Sequence, residues 1–203
     1  MRLITIYHLF LPLMLFSGGS GTWLLKTQKD GVTIYSRRSA VSKFDDLRIE
    51  VDLPGTADQV ARILLDVEKY PQWAYCTKSA SLLKQINKDE LIYYSEISAP
   101  WPFADRDLCA DITVCRDSSM GSICLVSTGL KDFLPEKKGL VRVPRSKAVW
   151  NLTTKSDKVV HLQYVLEIDP GGTLPAWIVN MFASKGPMET FSNLRKKMAG
   201  LNN

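Results

Sequence analysis

Few residues in this chain stand in an arrangement that could do covalent chemistry. Histidine is the commonest general acid or base near neutral pH, and the chain has only His8 and His161. His8 lies in an N-terminal apolar run, and His161 alternates away from the apolar row of its own segment. No Gly-x-Ser-x-Gly, His-Glu-x-x-His or glycine-rich phosphate loop occurs, so triad hydrolysis, zinc-peptidase and nucleotide chemistry lack their signatures. Cys76, Cys109, Cys115 and Cys124 never take Cys-x-x-Cys spacing, which speaks against a structural zinc site. No metal and no cofactor is expected. If 118–121 turn a hairpin, Cys115 falls opposite Cys124, and a disulfide there or free thiols would equally satisfy the sequence.

The charged pair Arg106-Asp107 is the remaining candidate. It follows Pro100, Trp101, Pro102, Phe103, Ala104 and Asp105 and opens a strand-like run, 106–115. One face of that run holds Arg106, Leu108, Ala110, Ile112 and Val114; the other holds Asp107, Cys109, Asp111, Thr113 and Cys115. Arg106 therefore sits at the lip of an apolar face. An arginine taken out of water carries a penalty of several kcal/mol unless it is paired. Two readings stay open: pairing with Asp105, Asp107 or Glu96 to pin the loop ahead, or contact with a polar group of a ligand.

The elements that must position this pair follow from periodicity and turn chemistry. Asp30-Gly31 offers a turn before a strand at 32–37, and 46–53 alternates with Leu47, Ile49, Val51 and Leu53 on one face. Thr56 is a good N-cap for a helix over 57–68, which the sequence Lys69-Tyr70-Pro71 ends. Strands are expected at 79–86, 91–98, 106–115, 122–128, 141–154 and 158–169. In the last of these Val160, Leu162, Tyr164, Leu166 and Ile168 form one apolar row. A helix over 175–199 closes the chain, with Gly186-Pro187 expected to kink or interrupt it. Hairpins dominate, which predicts an α+β domain with an antiparallel sheet.

The bulk numbers bound the rest. A chain of 203 residues, 45% hydrophobic and 23% charged, suits one globular domain. The formal net charge of +5 is spread out, with one denser group at Lys137, Lys138, Arg142, Arg145 and Lys147. That is not the aromatic-laced basic stripe of a nucleic-acid binder, whereas a modest attraction to anionic lipid surfaces remains open. Residues 1–21 have the order of a secretory signal: Arg2, an apolar run over 3–16, then small residues. Export is the expectation, with an uncleaved N-terminal anchor as the alternative and 22–203 as the folded domain.

Over 23–198 the chain resembles START domains, the lipid-transfer domains related to the steroidogenic acute regulatory protein, within the Bet v 1-like helix-grip superfamily. The carriers are Asp66-Val67-Glu68-Lys69-Tyr70-Pro71-Gln72-Trp73, Pro100-Trp101-Pro102 with Arg106-Asp107, Val149-Trp150, and Asp169-Pro170-Gly171-Gly172 with Pro175-Ala176-Trp177. The resemblance implies a curved antiparallel sheet wrapped around a long C-terminal helix, enclosing a hydrophobic cavity. It also implies binding, and intermembrane transfer, of a lipid or other hydrophobic ligand without chemistry on it. On that reading the cavity is lined from Glu96, Trp101, Arg106, Leu108, Ala110, Ile112, Trp150, Leu162, Tyr164 and Leu166. The final helix adds Trp177, Ile178, Met181 and Phe182 as a lid, and Glu96, in phase with Ile92 and Tyr94, supplies the acid. Family members that hold phospholipid or sterol often carry a second arginine six residues along from the first; here that position is Ile112.

The superfamily also includes polyketide cyclases and aromatases, and Tyr93, Tyr94, Tyr164 and Glu96 could orient and enolise a polyketone. A ligand-sensing module without transfer is a third reading. Expected partners are a hydrophobic small molecule and a transient membrane contact, with no nucleic acid, for a monomeric protein.

Overall fold

The computed structural model describes residues 21–117, 119 and 121–201; the segment read as an export signal, 1–21, lies outside them apart from Gly21. The described chain opens with a hairpin, β1 (Leu24–Lys29) and β2 (Val32–Arg37). Asp30 and Gly31 between them both take positive φ, 51° and 71°. Two such residues make the type I′ turn whose twist matches paired strands. β1 gave no sequence signal because it is an exposed edge strand, with Leu24 and Leu25 both facing solvent.

β3 (Asp46–Pro54) buries Leu47, Ile49, Val51 and Leu53, the row that alternation marked. α1 (Ala57–Leu65) begins at Thr56 with a capping box. The Thr56 hydroxyl accepts from the Gln59 backbone N–H, and the Gln59 side chain accepts from the Thr56 N–H. The α-helix stops at Leu65 rather than Glu68 and gives way to a 3₁₀ turn, Val67–Gln72. There the Tyr70 hydroxyl donates to the Leu64 carbonyl at 2.6 Å.

Seven strands follow: β4 (Thr77–Asn87), β5 (Glu90–Ile97), β6 (Asp105–Asp117), β7 (Ser122–Gly129), β8 (Leu140–Arg142), β9 (Arg145–Ser156) and β10 (Val159–Asp169). The single strand expected at 141–154 is two. Pro144 has no N–H to give to a ladder, and the short β8 ahead of it runs parallel to the start of β6, with Arg142 beside Asp107. The sheet order is β1-β2-β3-β10-β9-β7-β6-β5-β4, with every neighbouring pair in that path antiparallel.

α2 (Ala176–Gly200) crosses the inner face of this curved sheet. Its second half buries Phe191, Leu194 and Met198 and packs on β2 and β3, while α1 packs on β7 and β9. The architecture is the α+β helix grip. α2 runs on without a break through Gly186-Pro187, so the expected interruption does not occur. The glycine has a packing reason instead: a Cβ at 186 would meet the Tyr75 ring at 3.2 Å.

The hairpin of β6 and β7 has the expected register, Cys115 opposite Cys124. Both cysteines carry free thiols in this structure. Side chains stand roughly perpendicular to a sheet, so the two thiols project from its outer face side by side.

Candidate ligand-binding cavity

The inner rows of the sheet are long, but the two helices fill only part of the space above them. Val160 and Leu162 of β10 are fully buried against protein. Further along the same row Tyr164, Leu166 and Ile168 face a hollow of about 250 Å³. Leu108 and Ile112 of β6, Trp150 of β9 and Phe182 of α2 join its walls. Aromatic rings dominate one end: Trp150 lies 4.1 Å from Tyr164 and 5.8 Å from Phe191 between centroids. Tyr70 meets Trp73 and Tyr93 edge-on, at 5.2 and 5.6 Å.

The side-chain polar groups on this wall are mostly hydroxyls, among them those of Tyr93, Tyr164, Ser95, Ser127, Ser146 and Thr190. With them are the indole N–H groups of Trp150 and Trp73, the latter buried and without a hydrogen-bond partner. Burial is the main cause pushing the phenols of Tyr70, Tyr93 and Tyr164 above their ordinary pKa. They stay protonated at neutral pH. Such groups orient a guest by hydrogen bonding and do not exchange protons with it near neutrality.

A second hollow of about 170 Å³ adjoins the first, and the two share Ile97, Leu166, Ile168 and Phe182 as walls. Phe44, Val143, Leu174 and Val179 line its far side, and Arg106 points into it. Arg106 is 6% exposed. Its Nη1 donates to the Ala104 carbonyl at 2.5 Å, its Nε has no hydrogen-bond partner, and no carboxylate of the described residues lies within ion-pair distance. Burial pushes its pKa down from the usual arginine value, and Asp105 nearby opposes that shift.

All three carboxylates expected to pair with Arg106 are engaged elsewhere. Asp107 takes Arg142, with Nε to Oδ1 and Nη2 to Oδ2 both at 2.9 Å. Asp105 accepts from the Ala99 N–H at 2.9 Å and from Lys78 at 3.2 Å. Glu96 accepts from the Tyr94 hydroxyl at 2.9 Å and Lys137 at 3.1 Å. Of the two readings of Arg106, pairing with a protein carboxylate is thus absent from the described residues.

The sequence assignments divide accordingly. Leu108, Ile112, Trp150, Tyr164, Leu166 and Phe182 line the main lobe, and Arg106 lines the second with Leu166 and Phe182. Ala110, Leu162 and Ile178 are fully buried but touch neither lobe. Met181 is half-buried and also outside both.

Glu96 is a correction. On β5 the cavity row is Tyr93, Ser95 and Ile97, so Tyr94 and Glu96 face outward. The misphasing has a cause: Ile92 and Tyr94 are buried too, at 7% and 6% exposure, so neither face of β5 reads as solvent. Lys137, from the 130–139 loop held by Arg142, lies over the Tyr94 ring at 4.1 Å. Trp101 and Trp177 are corrections as well, being 91% and 54% exposed. Trp177 meets Phe103 edge-on at 6.3 Å on the surface. His161 lies on the outer face beside Asp52, 2.8 Å from it.

The sequence reading missed Tyr70 of the 3₁₀ turn, Trp73 just after it and Phe191 of α2 as cavity walls. The first two belong to the Tyr70-Pro71-Gln72-Trp73 segment already singled out, and their aromatic character was the available signal.

Comparison with known proteins agrees with this architecture. The family model described as START domain matches residues 16–203. An uncharacterized protein of Pseudomonas aeruginosa is 30% identical over 173 residues, covering 85% of each chain. The mouse phosphatidylcholine transfer protein is 24% identical over 170 residues, 81% of this chain and 78% of that protein. A fragment of a STAR-related lipid transfer protein from Xanthomonas axonopodis superposes with a TM-score of 0.79 at 32% identity, covering 87% of this chain and 98% of that one. A sheet gripping one long helix over adjoining hollows, and a family model that matches nearly the whole chain, make this protein a member of the START domain family.

Proposed function

We propose that the protein binds a lipid or other hydrophobic small molecule in the two-lobed cavity and carries it between membranes unchanged. The observation that carries this reading is the hollow itself: aromatic and aliphatic walls left unfilled by the chain's own side chains. Each hollow is smaller than the roughly 300–1,000 Å³ of small-molecule pockets, and a shift of the shared Leu166 and Phe182 side chains would join the two into a space within that range. Leu108, Ile112, Trp150, Tyr164, Leu166 and Phe182 are the contacts we assign to the apolar part of the guest. The START-family relatives named for phosphatidylcholine transfer and for lipid transfer support the binding of a lipid.

The thermodynamic task suits such a site. Exposing hydrocarbon to water costs about 0.8 kcal/mol per methylene, so a chain of about sixteen carbons meets a barrier on the order of 13 kcal/mol on leaving a bilayer unaided. A dry cavity removes most of it without any bond being made or broken. Loading requires contact with the bilayer, and the exposed Trp101, Trp177 and Phe133 provide the apolar surface for it. Aromatic side chains favour the membrane–water interface. We further propose that the carrier is exported, on the strength of Arg2, the apolar run over 3–16 and the small residues that follow it.

A vesicle assay tests the proposal. Donor vesicles carry a self-quenched fluorescent lipid, acceptors are unlabelled, and the purified protein should raise the transfer rate in proportion to its concentration. A rate equal to the spontaneous one, across fatty acid, sterol and phospholipid probes, would refute transfer.

A further inference from the structure

We propose that the guest carries a single carboxylate and that this group seats on Arg106 in the smaller lobe. The inference rests on the cavity-binding reading and adds the chemical class of the head group. Two arginines sit beside each other at the start of β6 and in β8, one on each face of the sheet. On the outer face Arg142 presents its Nε/Nη2 edge to Asp107, and both bonds are 2.9 Å. Its Nη1 meanwhile donates to the carbonyls of Lys131 and Leu134 at 2.7 and 2.9 Å. This is the side-on, two-bond geometry in which a guanidinium recognises a carboxylate.

Arg106 on the inner face repeats half of that pattern. Its Nη1 is fixed by the Ala104 carbonyl, and the Nε/Nη2 edge is left over, with Nε buried and unpartnered. Arg142 donates all round; Arg106 offers the same edge with no acceptor on it. A buried guanidinium with no paired anion is costly, and a carboxylate entering with the guest supplies both the missing charge and two oxygens for the free edge. The lobe's lining favours this class over larger polar heads. Apart from Arg106 and Asp45, which pairs with Arg38 at 3.7 Å, its lining residues are apolar. A choline phosphate would find no second cation there for its phosphate, and the one carboxylate, Asp45, already faces Arg38. The apolar remainder of an acid would extend past Leu166 and Phe182 into the main lobe.

The test uses the full-length, delipidated protein loaded with a fluorescent hydrophobic dye at pH 8. Hexadecanoic acid, hexadecan-1-ol and phosphatidylcholine vesicles compete for the site. The acid should displace the dye at a concentration at least about tenfold below that of the alcohol, as expected for charge-assisted hydrogen bonds. Arg106→Met should abolish the acid's advantage, and Arg106→Lys, which keeps the charge without the planar edge, should retain part of it. Equal potency of acid and alcohol on the unaltered protein overturns the carboxylate inference while leaving the cavity reading intact, as does phosphatidylcholine outcompeting both. Failure of all three probes to displace the dye overturns the cavity reading and the inference with it. Because the acid–alcohol comparison needs no variant, the test stands even if an Arg106 substitution fails to fold.

Discussion

Arg106 at the start of β6 and Arg142 in the paired β8 should respond in opposite ways to the same substitution. Arg142→Met removes five hydrogen bonds: two to Asp107 and three to the carbonyls of Lys131, Leu134 and Pro135. It also strands Asp107, which is 1% exposed and would keep only the Tyr94 hydroxyl, 3.3 Å away, as a side-chain partner. Breaking a buried pair in this manner costs about 3–5 kcal/mol. Each kcal/mol lowers Tm by about 2–4 °C in a chain of this size, so a fall of about 6–20 °C is expected.

Arg106→Met instead removes one hydrogen bond to a carbonyl, worth about 1.5–3 kcal/mol for a charged donor. It also removes a buried cation whose desolvation penalty, several kcal/mol, no paired carboxylate offsets and the nearby Asp105 offsets only in part. The two terms oppose each other, and the delipidated variant should be as stable as the parent or more so. Urea titrations of both variants, followed by tryptophan fluorescence, decide the matter. A loss for Arg106→Met as large as that for Arg142→Met would refute the reasoning, because it would make Arg106 a structural pin.

Gly186→Ala brings a Cβ to 3.2 Å of the Tyr75 ring at the cavity wall. It should slow ligand exchange in stopped-flow dye release, with unchanged kinetics counting against a gate at this point. Trp101→Ser should leave Tm unchanged, since the side chain is 91% exposed. Vesicle sedimentation should nevertheless show about tenfold weaker binding, or about 1.4 kcal/mol, within what burial of a large apolar side chain contributes. The Ala99 N–H and Lys78 hold the Asp105 carboxyl below its ordinary pKa. A lowered folded-state pKa gives stability that is present above the unfolded value, near 3.9, and lost as pH falls through the folded one. Asp105→Asn should therefore destabilise at neutral pH, with the gap to the parent closing below about pH 4 in urea titrations.

How much of this was legible depended on how many faces of each strand the fold covers. β10 has one buried and one wetter face, so its row from Val160 to Ile168 could be read directly, and it proved to be cavity wall at one end and solid core at the other. Alternation marks the inward face but not whether that face meets protein or a hollow, which is why Ala110 and Leu162 were grouped with Leu108 and Tyr164. β5 is covered on both faces, and its phase was lost, carrying Glu96 to the wrong side. Trp101 and Trp177 illustrate a different limit. A sequence marks a tryptophan as apolar without saying whether it is covered by the protein or left exposed at its surface.

The lone state of Arg106 could not be read at all, because it depends on Lys78, Lys137 and Arg142 claiming the carboxylates nearest to it in sequence. The split of 141–154 at Pro144, by contrast, was visible in principle, since proline cannot extend a central ladder.

The central claim is that the hollow above Tyr164 and Leu166 is a place for a guest. Native mass spectrometry of the freshly purified protein tests it most directly, before and after organic extraction. The account predicts a non-covalent mass increment that extraction removes and that incubation with lipid vesicles restores. A protein that shows the bare chain mass throughout, and takes up nothing from vesicles, would contradict it.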